Sequence, residues 1–414
     1  MARRSPAQIP AEPFARPKAP GRGALFGVLA TYAVAMCGTT MPTALYPTLQ
    51  DDFGLSTAAA TQLFAIYAVT VLLVLCAFGS LSDALGRKPV MMLGLGASLA
   101  SGVLYSIADD APMLFAARVL SGVCAGLVTG TATAYLTDLV GSPSRGAAVS
   151  SVANMVGLGS GPVLAAWLTF AVPTVPMIAF TAHAVVSGLC LLVLCFGPES
   201  VPSRRLRLYP SLPLVPRFAL RNFAIGGLMT LGFVVMGGCT AMTSILVVRS
   251  FGISDLRVLG LIGSLIFAAT AIGQKLGGAL VRRHALAGYA GLVSGAALIC
   301  LAPLLPGMSA VVIYLAGLTA AGLSHGALFP VGLGIVLQDI PLGQRGSASS
   351  AFWVLGYALT AAGALGLGWV GELFGEAQAV SWFGAAVVVS AVLCAALHLR
   401  LSVPSRRRGG EPLI

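Results

Sequence analysis

The chain has 414 residues, of which 57% are hydrophobic and only 9% charged, with a formal net charge of +11. An ordinary soluble protein is about 25% charged, so this composition leaves too little polar surface to cover a soluble core and assigns most of the chain to lipid. The surplus bases occur in small groups without interleaved aromatics, which excludes a nucleic-acid face.

The expected elements are taken in chain order. Residues 1–22 form a Pro/Arg-rich polar tail, expected to be disordered and cytoplasmic. Apolar runs of about twenty residues, the length that crosses a bilayer, follow at 24–46, 57–81, 89–108, 112–138, 146–170 and 174–197. A Pro/Ser/Arg-rich cytoplasmic linker is expected over 198–221. Six more runs lie at 222–247, 257–280, 285–305, 309–337, 345–370 and 378–399, before a second cytoplasmic tail at 401–414. The fold class is therefore an all-α membrane protein of twelve transmembrane helices, with six-helix bundles over 23–197 and 222–400.

Charge placement tests that count. With the N-terminus in the cytoplasm, 20 of the 24 bases fall on the inner side and only Arg249 and Arg257 on the outer. Cytoplasmic loops carry the excess of Lys and Arg, and one missed helix would invert every later loop. The outer loops are acidic instead: Asp51, Asp52, Asp109, Asp110, Asp255, Glu372 and Glu376. Both termini are thus expected inside, in a multi-pass membrane protein.

The halves repeat weakly. Thr137-Asp138-Leu139 followed by Arg145-Gly146-Ala147-Ala148 matches Gln338-Asp339-Ile340 followed by Arg345-Gly346-Ser347-Ala348. Gly79-Ser80-Leu81-Ser82-Asp83-Ala84-Leu85-Gly86-Arg87-Lys88 has a faded partner in residues 274–283, with Gly278 where Asp83 stands. Matching halves mark a parallel repeat about an axis along the membrane normal. The eight cysteines all lie in apolar runs and make no CxxC or Cys/His pattern, so they are expected as small buried hydrophobes and not as disulfides or metal ligands. No GxSxG elbow, HExxH pair, paired carboxylate or Walker loop is expected in the spans, and neither an enzyme nor a cofactor is expected.

Individual residues then stand out. Asp83 and Arg87 are one helical turn apart and can pair. Arg118 lies about seven residues into the fourth span, where a charge costs about 2.5–3.5 kcal/mol, so it should face protein or a water-filled cavity. No Asp or Glu lies in the middle of any span. His325 and His183 are the titratable groups left in the membrane, and histidine titrates near neutral pH, so these two are proton-carrier candidates. Trp353 and Tyr357 share a helix face, four residues apart.

The loop G-x-L-S-D-x-x-G-R-K closely resembles the signature between helices 2 and 3 of the major facilitator superfamily. Leu114-x-x-x-Arg118-x-x-Ser121-Gly122 is similar to that family's helix 4 signature. Gly157-x-x-x-Gly161-Pro162-x-x-Ala165-Ala166 resembles the helix 5 signature of its antiporters, with Ala-Ala for the usual Gly-Gly. Pro42 and Pro47 also resemble the first helix of its drug exporters. The resemblance runs from about Ala24 to Arg400 and is nearest to the twelve-helix drug:proton antiporters.

What it implies is specific. Asp83, Arg87, Lys88, Gly79, Gly86, Asp138 and Arg145 would form a gate latching the inner ends of the two halves, with the acid near the start of helix 11. Arg118 would take part in proton coupling or hold an anionic group. Gly157, Gly161 and Pro162 would give close packing and a bend where helices 5 and 8 meet. A central cavity would be lined by Tyr32, Tyr67, Asn154, His325, Phe329, Trp353 and Tyr357. The implied function is export of a small drug-like or metabolite solute, in exchange for protons and by a monomer. An importer or facilitator of a sugar or organic acid is the alternative.

Overall fold

The computed structural model describes residues 22–79, 81–174, 177–200, 215–341 and 345–402. Residues 1–21 of the tail expected at 1–22, residues 403–414 of the tail expected at 401–414 and most of the linker lie outside these residues, while residue 22 and residues 401–402 are helical. Twelve helices are long and apolar enough to cross a membrane. They are α1 Gly23–Phe53, α2 Thr57–Phe78, α3 Arg87–Ser106, α4 Ala111–Val140, α5 Arg145–Ala171, α6 Ile178–Cys195, α7 Arg217–Arg249, α8 Leu256–Leu276, α9 Ala285–Leu304, α10 Gly307–Leu337, α11 Ser347–Phe374 and α12 Glu376–Ser402. No strand occurs among the described residues.

Boundaries differ from expectation where proline or a cap intervenes. α1 runs seven residues past its expected end, because Pro42 and Pro47 do not stop it. Pro42 begins a 3-10 turn, Met41–Leu45, and Pro47 sits in the first turn of the following helical piece, where the missing N–H breaks no ladder bond. α7 starts five residues early, with a 3-10 turn Arg217–Ala219 that brings Arg217 and Arg221 into the helix. Asp110, Ser142 and Ser56 cap α4, the helix containing α5, and α2, each side chain accepting a backbone N–H.

The packing obeys one rule. In the first half α3 packs on α4 and α6, α2 on α4, and α1 on α5. In the second, α9 packs on α10 and α12, α8 on α10, and α7 on α11. Adding six to each number of the first set gives the second. The seams between the halves, α2 on α11 and α5 on α8, exchange under the same operation. The weak sequence repeat thus corresponds to a twofold relation between bundles, the arrangement in which one bundle can rock against the other.

The α5 helix shows how such a seam is built. Pro162 cannot donate to Leu158 O four residues back. The Thr40 hydroxyl from α1 donates to that carbonyl instead, at 2.8 Å. The proline therefore sits in an unbroken helix without an orphaned acceptor.

Candidate functional site

At the end bearing the Arg-rich loops, the 79–88 segment forms a charge network inside the first half. Arg87 Nη1 donates to Asp83 Oδ1 at 2.5 Å and to Ser82 Oγ at 2.7 Å, and Arg87 Nε reaches Asp138 Oδ2 at 3.4 Å. Asp138, at the end of α4, thus shares Arg87 with Asp83. Among the described residues, none of these three side chains bonds to the second half. Gly79 closes α2, and a Cβ there would lie 3.6 Å from Ser350 Oγ on α11. Arg145 is exposed and has no ion-pair partner among the described residues.

Sequence reasoning missed the residue that completes this network. Glu199, just past α6, accepts the backbone N–H groups of Arg87 and Lys88, each at 3.0 Å, so it caps α3 from over a hundred residues away. Lys88 Nζ returns the contact to Cys195 O at 2.7 Å and Gly197 O at 3.0 Å, at the end of α6. Tyr135 Oη donates to Pro198 O, and Ser200 Oγ to Asp138 Oδ2 at 2.9 Å. Gly86 is required twice over: its φ is +102°, and a Cβ there would lie 2.7 Å from Glu199 Oε2. The only sequence signal was one acid in a basic linker. In the second half, Arg282 and Arg283 make no such bonds among the described residues, and Asp339 pairs with Asn222 Nδ2 at 2.7 Å.

The opposite, acidic end is tied across the halves. Arg249 of α7 bonds to Asp51 of α1 at 2.5 Å. Glu372 of α11 accepts Ala58 N–H at the start of α2, at 3.1 Å, and Glu376 of α12 accepts the Thr57 hydroxyl at 2.9 Å. Ser244 Oγ of α7 donates to Thr43 O of α1 at 2.6 Å. Asp255, by contrast, stays within its own helix start and pairs with Arg257 at 2.7 Å. The Arg257 hydrogen bond holds its exposed carboxyl down at about 2.

Arg118 is fully buried in the first half. Its guanidinium donates to Thr39 O of α1 at 2.6 Å, to Leu63 O of α2 at 3.1 Å and to the Tyr46 hydroxyl at 2.7 Å. It also faces the rings of Tyr67 and Phe64, 5.3 and 5.7 Å from their centroids. Among the described residues, no carboxylate partners it. His183 is buried between α3 and α6, its Nε2 within 3.0 Å of Ser98 Oγ and 3.2 Å of Ser187 Oγ. It is thus a packed residue of the first half, pressed against Gly38.

His325 is different. It is buried and its Nδ1 has no partner. It belongs to an aromatic cluster on α7, α10 and α11. Phe233, a residue the sequence did not single out, stands edge-on to His325, Phe329 and Trp353, at 4.6, 5.5 and 6.1 Å between ring centroids. Trp353 continues to Phe329 at 4.8 Å and to Tyr357 at 6.1 Å. Tyr357 in turn neighbours Tyr67 and Tyr32 of the first half. Phe329, Trp353 and Tyr357 are thus brought together with His325 in the second half, whereas Asn154 is half-buried on α5 and makes no side-chain hydrogen bond among the described residues.

Gly157 and Gly161 do not meet α8. A Cβ on Gly157 would lie 2.5 Å from Ala33 O, and one on Gly161 2.4 Å from Cys37 O, so both let α1 approach. The contact with α8 falls to Pro162 and Ala166, which pack on Gly260 and Gly263, and to Ser264 Oγ, which donates to Gly159 O at 2.5 Å. The expectation that the glycines serve the helix 5–8 contact is corrected: they lie on the other face of α5. The expectation that no span holds GxSxG is corrected, since residues 322–326 spell it. They lie within continuous α10, where Ser324 Oγ bonds to Ala320 O, and so form no strand-to-helix nucleophile turn.

Residues 28–364 match the family model described as Major Facilitator Superfamily. The chain belongs to that superfamily. Its family and fold are those of transporters, not of enzymes. It is 29% identical over 224 residues to the class C tetracycline resistance protein of Escherichia coli, covering 51% of this chain and 55% of that one. The chain spans about half or less of the length of the curated relatives it matches. In fold it is similar to a bacterial homologue of the human lysosomal transporter Spinster in an inward-facing, unoccupied conformation, with TM-score 0.73 and 16% identity, over 92% of this chain and 96% of that one. It is also similar to the human organic anion transporter MFSD10, with TM-score 0.56 and 24% identity, over 90% and 99%.

Proposed function

We propose that this protein exports a small organic solute, drug-like or a metabolite, in exchange for protons. The reading places it in a bacterial inner membrane with both termini in the cytoplasm, working as a monomer by alternating access. The observation that carries it is the aromatic cluster joining His325, Phe329, Trp353 and Tyr357. Aromatic walls with few fixed charges suit amphipathic solutes, whereas sugars need many hydrogen-bond partners.

The 79–88 loop, the α5 pattern and the likeness to a tetracycline resistance protein support export. Charge asymmetry between loops supports the orientation. His325 is the proposed proton carrier: a buried imidazole with a free Nδ1 can take a proton as one end of the interface opens to water. Relatives carry drugs in one case and organic anions in another, so kinship leaves the solute class to the site itself.

The test is efflux of a mixed solute panel by everted vesicles, with and without a proton gradient. Gradient-dependent accumulation that falls in His325→Ala is the expected result. Counterflow without proton movement would instead make the protein a facilitator.

A further inference from the structure

We propose that the second half holds an acidic phospholipid at its basic end, the lipid phosphate standing beside Arg282 as the Asp83 carboxylate stands beside Arg87. The site is independent of what the protein carries.

The repeat supplies the first observation. Arg282 and Arg283 match Arg87 and Lys88, and Gly278 matches Asp83. In the first half both bases are satisfied from within. Arg87 bonds to Asp83 and reaches Asp138, and Lys88 bonds to two carbonyls at the end of α6. In the second half the corresponding arginines are exposed and have no hydrogen-bond or ion-pair partner among the described residues. Gly278 brings no carboxylate. A Cβ there would lie 3.6 Å from Arg282 Nη1 and within 4 Å of nothing else, so the guanidinium lies beside the residue that lacks the acid. Asp339, which matches Asp138, is engaged by Asn222 Nδ2 at 2.7 Å. It is the one acid of the second half at this end, since Asp255, Glu372 and Glu376 lie at the other.

The surroundings name the ligand. Gly277, at φ −81° and ψ −24°, continues α8 into the helical piece Gly278–Arg283. Lys275 and Arg282 then fall on one face, seven residues apart, and Leu276, Leu280 and Arg283 recur at i, i+4 and i+7 on the adjoining one. Leu276 and Leu280 are 70% and 55% exposed. In a chain surrounded by lipid, such leucines meet acyl chains. The bases stand where the span ends, at headgroup level, with Lys275 reaching there along its apolar stem. Basic clusters at span ends attract acidic headgroups. A phosphodiester with acyl chains fits both stripes. A free phosphate fits only the bases, and a choline headgroup brings a cation of its own to them.

The probes are phosphatidylglycerol and phosphatidylcholine with identical chains and a fluorophore on one chain, their binding to the full chain in detergent read by anisotropy. Phosphatidylglycerol should bind tighter by about tenfold or more. Arg282→Gln and Arg283→Gln should each weaken it about fivefold. Gly278→Asp, which restores the acid of the first half, should weaken it as much and leave phosphatidylcholine within about twofold of wild type. Arg400→Gln, which removes an exposed arginine of α12 at the same end, should change it by less than about twofold. Equal affinity for the two lipids overturns the proposal. A loss in Arg400→Gln as large as in Arg282→Gln overturns the assigned site, because the lipid then reads net charge alone. Displacement of the labelled lipid by millimolar inorganic phosphate overturns the lipid as occupant. Unaltered affinity in Gly278→Asp overturns the placement beside Arg282; if that variant does not fold, unaltered affinity in Arg282→Gln does the same.

Discussion

The two ends of the molecule spend their charges differently. At the acidic end Asp51, Glu372 and Glu376 reach across the halves to Arg249, Ala58 and Thr57. At the basic end Asp83, Arg87, Asp138, Lys88 and Glu199 bond within the first half. The acidic ties can exist only while that end is shut. The basic network can persist whichever end is open, because it holds parts that move together. The segment read as a latch between halves is, in this conformation, a brace that joins α3, α4 and the end of α6 into one rigid block.

That comparison can be broken by experiment. A disulfide between Asp51→Cys and Arg249→Cys, in a background lacking the native cysteines, should cut transport by roughly tenfold or more, since alternating access needs that end to open. Reductant should restore the rate; full transport in the cross-linked protein would sink the reading of these contacts as a gate. Next in size is Gly86→Ala. A side chain at φ +102° against Glu199 costs about 1–3 kcal/mol, seen as a lower unfolding temperature of the whole first half. An unaltered melting curve would mean that Glu199 is not holding the turn.

Asp83→Asn separates brace from latch. Asp83 is exposed, and exposed pairs contribute about 0.2–1 kcal/mol, so stability should barely change. A several-fold slower transport rate with normal melting would show that Asp83 also acts in the other conformation. Equal rates would leave it with the bracing role alone.

The smallest effect compares two carboxylates at one end. Asp51→Asn should raise labelling of a cysteine placed at Thr57, because its partner lies in the other half. Asp255→Asn should not, because its partner is two residues away. The Asp255 carboxyl sits below its unfolded value of about 3.9, so its contribution is present above that value and lost as pH falls towards about 2. Labelling in Asp255→Asn should therefore match wild type at every pH from 5 to 8 (roughly the working range of such proteins).

Length and order of the helices were legible because they depend on hydrophobic runs. So was the Asp83–Arg87 pair, which needs only helical spacing. The faces of the helices were not. A helix surrounded by lipid and by other apolar helices shows little amphipathic bias, so nothing in the sequence says which way Gly157 or Phe233 points. Gly157 and Gly161 turn to α1, not α8, for that reason. Glu199 was hidden because its partners are backbone N–H groups, which every residue has. Thr40 was hidden because the carbonyl it serves became free only when Pro162 entered α5 in that orientation.

Arg118 also bears on how the chain is made. Its three acceptors belong to α1 and α2, which leave the ribosome before α4. The guanidinium therefore enters a membrane in which its partners are already waiting, and its insertion penalty of about 2.5–3.5 kcal/mol is met on arrival. A circular permutant beginning at α4 would present the same residue to bare lipid, and biogenesis, not folding stability, would be the step that suffers.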